Sequence, residues 1–316
     1  MLFFTAANPG INNGGAFLVA KDEIYNKINP NIIPKTLVVK DAKNADSILK
    51  WLTKEQLHFP ILVKPNHGLR GIGLSVIKNE SQFNVFVSRI ASEYLIQEFI
   101  EYKNEIGIFF TKNPKTHNVK LTSIVKKSFM EIKGNGIDSI EELVKSNKRY
   151  AMHLQTMKQD RSIDWSLVLD EEQMFTFERI GNHSRGATFL DGNDMINPQL
   201  TSVIANVLED IDDVYYGRID LKYSNEDDLL AGDNFKIIEL NGAFSEPAHI
   251  YDPSHNLMYD WKEIIKHFNY LFKISDYLIN QGVKPLKLKT GLQLISEHFK
   301  VTNKIELEAS QDYAVA

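Results

Sequence analysis

Oxygen-bearing side chains concentrate in two neighbouring stretches, Gly217-Arg218-Ile219-Asp220-Leu221-Lys222 and Phe235-Lys236-Ile237-Ile238-Glu239-Leu240-Asn241. Both read as strands. Side chains alternate faces along a strand, so Arg218 and Asp220 share one face while Ile219 and Leu221 take the other. By the same rule Ile237, Glu239 and Asn241 share a face opposite Ile238 and Leu240. Paired as a hairpin across a short polar loop, Tyr223 to Asn234, the two strands bring Asp220, Glu239 and Asn241 to one point. Two carboxylates and an amide oxygen on apolar strands are costly to bury without a cation or water. Hard oxygen ligands of this kind suit Mg2+ or Mn2+, which shares its remaining positions with water and phosphate oxygens. The plainer alternative is a solvated hairpin edge.

A second chemical signal precedes it. The apolar strand Phe59 to Pro65 ends in Lys64-Pro65 and runs into Asn66-His67-Gly68-Leu69-Arg70-Gly71-Ile72-Gly73, with a second strand over Leu74 to Ile77. Gly68, Gly71 and Gly73 let the backbone turn tightly over an anion and offer it N–H groups, and Lys64 reaches the same anion. The Gly-Lys-Ser/Thr ending of a P-loop is missing, and so is the dinucleotide-fold glycine spacing. A glycine-tipped hairpin describes the segment better. An ordinary glycine turn beside a solvated lysine is the competing reading.

Two further polar loops could overlook the hairpin. Gly181 to Phe189 carries His183 and Arg185, and Gly242 to Pro253 carries Glu246 and His249. Active-site loops have this composition, and so do surface loops.

The elements that must position these groups follow from hydrophobic period and punctuation. Helices are expected over Phe17 to Ile28, which contains Lys21, and over Ser81 to Ala91, Asn197 to Tyr215 and Tyr259 to Ile274. Another starts from an Asp138 or Ser139 cap. Strands are expected over Thr36 to Val39, Glu93 to Ile100, Ile106 to Thr111 and Val119 to Val125. The end of the chain reads as a helix around Leu292 to Phe299 and a frayed polar tail.

Bulk composition narrows the classes. The 316 residues are 43% hydrophobic and 24% charged with a formal net charge of -5, which suits a globular protein and offers no basic nucleic-acid footprint. With no cysteine, disulfides, thiolate metal sites and a cysteine nucleophile are excluded. No apolar run approaches the roughly 18 residues of a spanning helix, and the opening segment lacks a basic signal-peptide start. The expectation is a cytoplasmic protein without nucleic-acid or membrane partners.

Taken in order, Ile61 to Pro65 with its glycine hairpin, Leu95-Ile96-Gln97-Glu98-Phe99-Ile100 with Glu105, then Gly217 to Asp220 and Ile238 to Asn241, resemble the ATP-grasp superfamily, closest to its D-alanine:D-alanine ligase and carboxylate-amine ligase branch. The resemblance spans roughly residues 17 to 250. It implies an α+β fold of two lobes whose antiparallel sheets grip ATP. It divides the chain into an N-terminal segment, 1–58, as the remnant of a truncated preceding domain; a small lobe, 59–112, with flap and adenine hinge; a large lobe, 113–275, with the metal site; and a C-terminal helix and tail, 276–316.

It also implies roles. Lys64 and Lys21 match phosphate-contacting lysines, and Gly68, Gly71 and Gly73 the flap over them. Glu98 and Ile100 match the adenine hinge, with Gln97 standing where relatives often carry a carboxylate. Glu105 matches the ribose ligand, and Lys126 or its neighbour Lys127 a further phosphate contact, Lys126 being the one assigned. Asp220, Glu239 and Asn241 match ligands of Mg2+ (or Mn2+), and Arg218 an arginine that stabilises a developing oxyanion. The implied activity joins a carboxylate to an amine through an acyl phosphate, giving ADP and phosphate. A small-molecule kinase and a nucleotide-binding protein without turnover are the alternatives. His183, Arg185, Glu246 and His249 are the candidates for substrate contacts, and a homodimer is left open.

Overall fold

The computed structural model describes residues 1–40, 45–67, 71–158, 163–177 and 187–312. Two sheets dominate it. The smaller has four antiparallel strands, β1 (Thr36–Val39), β2 (Ile61–Pro65), β3 (Ser75–Ile77) and β4 (Tyr94–Glu98), in the order β1-β4-β2-β3. The short helix α1 (Lys21–Tyr25) precedes it, and α2 (Ala45–Lys54) and α3 (Glu80–Arg89) supply its apolar cover. Ile48, Leu52, Ile61, Val63, Phe83, Phe86 and Ile96 form that core. The Asn79 side chain accepts from Gln82 N–H and starts α3, satisfying one of the helix's orphan donors.

The larger sheet is built from β5 (Asn104–Lys112), β6 (Val119–Ser128), β9 (Thr188–Asp191), β10 (Tyr216–Tyr223) and β11 (Phe235–Asn241), ordered β11-β10-β5-β6-β9 and antiparallel throughout. Between β6 and β9 the chain makes a two-stranded ribbon, β7 (Glu131–Lys133) with β8 (Met174–Thr176), and the short helices α4 (Ile140–Ser146), α5 (Lys148–Ala151) and α6 (Leu154–Met157). Ser139 and Glu142 form a capping box at the start of α4, which chooses between the two caps the sequence allowed. The main core joins Ile106, Ile108, Ile124, Ile219, Leu221 and Leu240 of the sheet to Leu200, Ile204 and Leu208 of α7 (Pro198–Glu209).

Several expectations change. The loop between β10 and β11 holds a helix, α8 (Glu226–Ala231): Asn225 caps it, three acidic residues fill its first turn, and Gly232 ends it at φ 82°. The helix expected over Phe17 to Ile28 is only α1, because Leu18 sits at φ 48° and interrupts it. After α9 (Leu257–Asn280), the expected frayed tail is helical through α10 (Leu288–Asp312). That helix begins beside the Leu2–Leu286 bridge. It ends on the small lobe, where Ser92 Oγ donates to Glu308 Oε1 at 2.8 Å and Ile305 is buried.

The segment 1–58 is divided between the lobes. Residues from Thr36 build the small sheet, while the first turns pack on the large lobe. Fully buried Asn8 fastens them: its Oδ1 accepts from the Tyr215 and Tyr216 amides at 2.9 and 3.0 Å, and its Nδ2 donates to Gly14 and Tyr216 carbonyls at 3.1 and 2.8 Å.

Candidate active site

Strand β10 lies between β11 and β5, and its period of two sends Ile219 and Leu221 into the core while Arg218, Asp220 and Lys222 face a cleft of about 740 Å³ between the lobes. Across the β10–β11 ladder Asp220 pairs with Glu239 and Arg218 with Asn241. The next pair is Leu221 with Ile237, so Ile238 is an extra residue, a β-bulge. This corrects the simple alternation: Ile237 turns into the core with Leu240, whereas Glu239 and Asn241 keep the cleft face. On the other side of β10, Gly107 makes room. A Cβ there would stand 2.6 Å from Asp220 Oδ1 and 2.9 Å from Val125 Cγ1.

The cleft wall is a buried charge network. Arg218 donates from Nε to Asp220 Oδ1 at 2.8 Å and from Nη2 to Asp220 Oδ2 at 3.0 Å, a bidentate pair. Lys127 Nζ lies 2.9 Å from Glu105 Oε1 and 3.4 Å from Asp220 Oδ2. Burial alone would favour neutral Asp220, but Arg218 and Lys127 hold its carboxyl below the usual range. Burial likewise works against the Lys127 ammonium, and Asp220 and Glu105 overcome it and raise its pKa. Lys222 donates to the Ile100 carbonyl at 3.2 Å and sits 5.5 and 5.6 Å from the Phe99 and Phe129 rings.

The small lobe contributes cations to the opposite wall. Buried Lys64, on β2, donates to Tyr25 Oη at 2.7 Å and to the Ile238 carbonyl at 3.2 Å, so the bulge on one lobe receives the lysine of the other. Tyr25 Oη donates to the same carbonyl at 2.5 Å. Lys21, at the start of α1, donates to the Pro65 carbonyl at 3.3 Å. Burial lowers both lysines to about 8, against the opposing pull of Glu239. Buried Gln97 donates to Thr36 Oγ1 at 2.8 Å, and it lines the cleft with Glu98 and Ile100.

Lys21, Lys64, Gly71, Gln97, Glu98, Ile100, Glu105, Arg218, Asp220, Glu239, Asn241 and Glu246 therefore line one cleft. Some expected residues stand elsewhere. Lys126 points away from the cleft and pairs with Asp194 at 2.8 Å, while the neighbour left open beside it, Lys127, lines the wall. Gly73, at φ 71°, turns against Ile305, Pro65 and Tyr94. His249 is fully buried away from the cleft lining, with Nδ1 2.6 Å from Ser123 Oγ and Nε2 3.7 Å from Glu263 Oε2. Burial lowers its pKa. Gly68, His183 and Arg185 lie outside the described residues.

Sequence reasoning missed Tyr25, Lys222, Phe189 and Phe244, all of which line the cleft. Lys222 continues the two-residue period of Arg218 and Asp220 and was within reach. Tyr25 stands one helical turn from Lys21, the spacing that puts two side chains on one face.

The donor set fits a hard divalent cation. Asp220 and Glu239 are opposite each other, and Asn241 follows on the same face with its buried Nδ2 unpartnered, so this amide is not committed to the protein. Among the described residues no group of three His, Cys, Asp or Glu side chains could hold a metal unaided. The chain's share is two carboxylates and an amide, which leaves positions for water and phosphate oxygens.

Residues 18–111 match the family model RimK-like ATP-grasp domain. No curated protein matches the chain. Among solved structures, a bifunctional glutathione synthetase from Pasteurella multocida is similar at 15% identity over 79% of this chain and 36% of its own, with a TM-score of 0.39. A D-alanine--D-alanine ligase from Bacillus anthracis is similar at 13% identity over 83% of this chain and 69% of its own, TM-score 0.45. A D-Ala:D-Ser ligase from Enterococcus faecalis is similar at 13% identity over 84% and 62%, TM-score 0.42. The chain thus spans about a third of the length of the first of these. Two antiparallel sheets border one cleft with the motifs in order along it, an α+β arrangement that agrees with an ATP-grasp fold, and residues 18–111 are similar to a RimK-like ATP-grasp domain.

Proposed function

We propose that the protein is an ATP-dependent ligase joining a carboxylate to an amine through an acyl phosphate. The observation that carries this reading is the shared cleft, in which Asp220, Glu239 and Asn241 on the large lobe face Lys21 and Lys64. ATP use agrees with the RimK-like match.

Lys21 and Lys64 hold the anionic triphosphate, each exchanging a carbonyl partner for phosphate oxygens, and Gly71 closes over it. A divalent ion held by Asp220, Glu239 and Asn241 would neutralise charge on the phosphate oxygens. Lys127, fixed between Glu105 and Asp220, adds a positive charge on the same wall. A carboxylate oxygen of the first substrate attacks the γ-phosphorus, the bond to the bridging oxygen breaks, and ADP leaves with that electron pair. The amine nitrogen then attacks the acyl carbon, and the C–O bond to phosphate breaks as the nitrogen loses its proton.

Arg218 is held rigid by its two bonds to Asp220, so it can donate from Nη1 to the tetrahedral oxyanion, an effect worth about 3 kcal/mol per donor. Nη1 lies 3.5 Å from the Glu246 carbonyl, which supports a position for the acyl carbon near the loop after β11. Phe244 and Glu246 of that loop form the wall for the second substrate.

Release of ADP from pools of carboxylates, with and without amines, tests the proposal, with Asp220→Asn as the inactive control. Amine-dependent release supports it. A phosphorylated carboxylate accumulating without need of amine would assign a kinase, and ATP bound without turnover would refute both.

A further inference from the structure

Helix α9 carries apolar residues on two faces, one packed on the large lobe and one exposed. Its inward face buries Glu263, His267 and Ser275 among Leu271, Ile274 and Leu278. Its outward face presents Met258 (84% exposed), Trp261 (57%), Ile265 (65%), Phe268 (60%) and Phe272 (53%). The steps between these five residues are three, four, three and four. That is the seam of a coiled coil, in which apolar residues recur every 3.5 positions to meet a facing helix.

With side chains of this size, those exposures leave on the order of 600 Å² of apolar surface in one strip, at or above the largest patch a typical monomer shows. A standard interface covers roughly 800 Å² per partner, so the strip with its flanks is the right size for the core of one.

We propose that this strip is the interface of a homodimer in which α9 packs antiparallel on α9 of a second copy. The sequence of the strip favours a second copy because it is self-complementary about Ile265. A twofold axis there sets Ile265 on its own copy, Trp261 against Phe268, and Met258 against Phe272. Large rings are thereby paired across the axis, as an isologous interface requires. At 1.5 Å of rise per residue, antiparallel pairing about Ile265 sets the two Lys273 copies roughly 24 Å apart and the two Lys262 copies roughly 9 Å apart along the axis. The arrangement bears on the cleft as well. Glu263, on the inward face of α9, lies 3.7 Å from His249, in the short turn that follows the substrate-side loop. The dimer would therefore brace that loop from behind. This proposal rests on α9 alone and stands whether or not the protein is a ligase.

Sedimentation equilibrium of the full chain tests it, with Ile265→Glu and, as a control on a second exposed apolar residue, Leu292→Glu on α10. The account expects a wild-type dimer, a monomer for Ile265→Glu with unchanged circular dichroism, and a dimer for Leu292→Glu. Because the chain has no cysteine, Ile265→Cys supplies a single thiol. A short bismaleimide should then convert most of that variant to a covalent dimer, while Lys300→Cys stays uncoupled. A wild-type protein monomeric at all concentrations, a dimer that survives Ile265→Glu, or a monomer that binds vesicles of anionic phospholipid through this strip would each overturn it.

Discussion

Lys21 and Lys64 give the cleft its affinity for a polyanion and also a pH dependence. Burial holds both near 8, below the usual lysine range, so the empty protein begins to lose these charges above that pH. A bound triphosphate favours the charged forms, so binding at alkaline pH must take up protons. ATP affinity is expected to be flat below about pH 7 and to fall as pH rises through 8. Calorimetry in buffers of different ionisation enthalpy should record net proton uptake above pH 8, and Lys64→Met should remove part of it. The same substitution should weaken binding about 10- to 100-fold, the worth of one charged hydrogen bond. Lys64, Arg218, Asp220, Glu239 and Asn241 were legible from strand position and period two, whereas Lys21, Gln97, Glu98, Ile100 and Glu105 came only from the resemblance. Tyr25 and Phe244 were legible from neither, since an aromatic residue beside a helix or in a loop carries no signal of which cavity it faces. His249 read as a substrate contact from its polar loop, but its burial against Ser123 and Glu263 comes from long-range packing.

At the scale of elements, the strands were legible from alternation, whereas the Ile238 bulge was not, because one extra residue leaves the hydrophobic pattern of a seven-residue strand almost unchanged. It decides the site nonetheless, since it keeps Glu239 and Asn241 in the cleft and turns a carbonyl toward Lys64. The N-terminal turns are equally dependent on one residue. Asn8→Ala would take their side-chain partner from the Tyr215 and Tyr216 amides and the Tyr216 carbonyl and remove one of two donors from the Gly14 carbonyl, and chemical denaturation should show a loss of about 3 kcal/mol or more.

Behind the large sheet, His267 bonds to the Glu263 carbonyl at 2.8 Å and to Thr122 at 3.1 Å, and burial lowers it to about 4. The unfolded chain binds this proton near pH 6.5 and the folded protein only near 4, so its stabilising effect is complete above 6.5 and declines on acidification toward 4. The decline should amount to about 3 kcal/mol, at about 1.4 kcal/mol per pH unit. His267→Phe should flatten the pH profile of the denaturation midpoint in that window.

On the scale of the whole molecule, the two lobes share apolar packing, with Leu95 of β4 lying in the main core, and specific polar contacts. Lys64 reaches across to Ile238, and α10 runs from Leu2 on the large lobe to the small lobe, where Ile305 packs near Gly73. The length of α10 was missed because its sparse apolar residues are diluted by charge, and its docking partner is more than two hundred residues away in sequence. Ile305→Ala should cost about 2–4 kcal/mol and speed hydrogen exchange at Gly71 to Gly73, because the cavity it leaves adjoins the flap. The central claim is that Asp220, Glu239 and Asn241 gather one divalent ion carrying a triphosphate. Titration of Mn2+ into the protein with a non-hydrolysable ATP analogue, followed by water-proton relaxation, tests it most directly. The account predicts a single high-affinity Mn2+ in the wild type that appears only with the nucleotide and is weakened at least tenfold in Glu239→Gln and in Asn241→Leu. Unchanged Mn2+ affinity in both variants would contradict it.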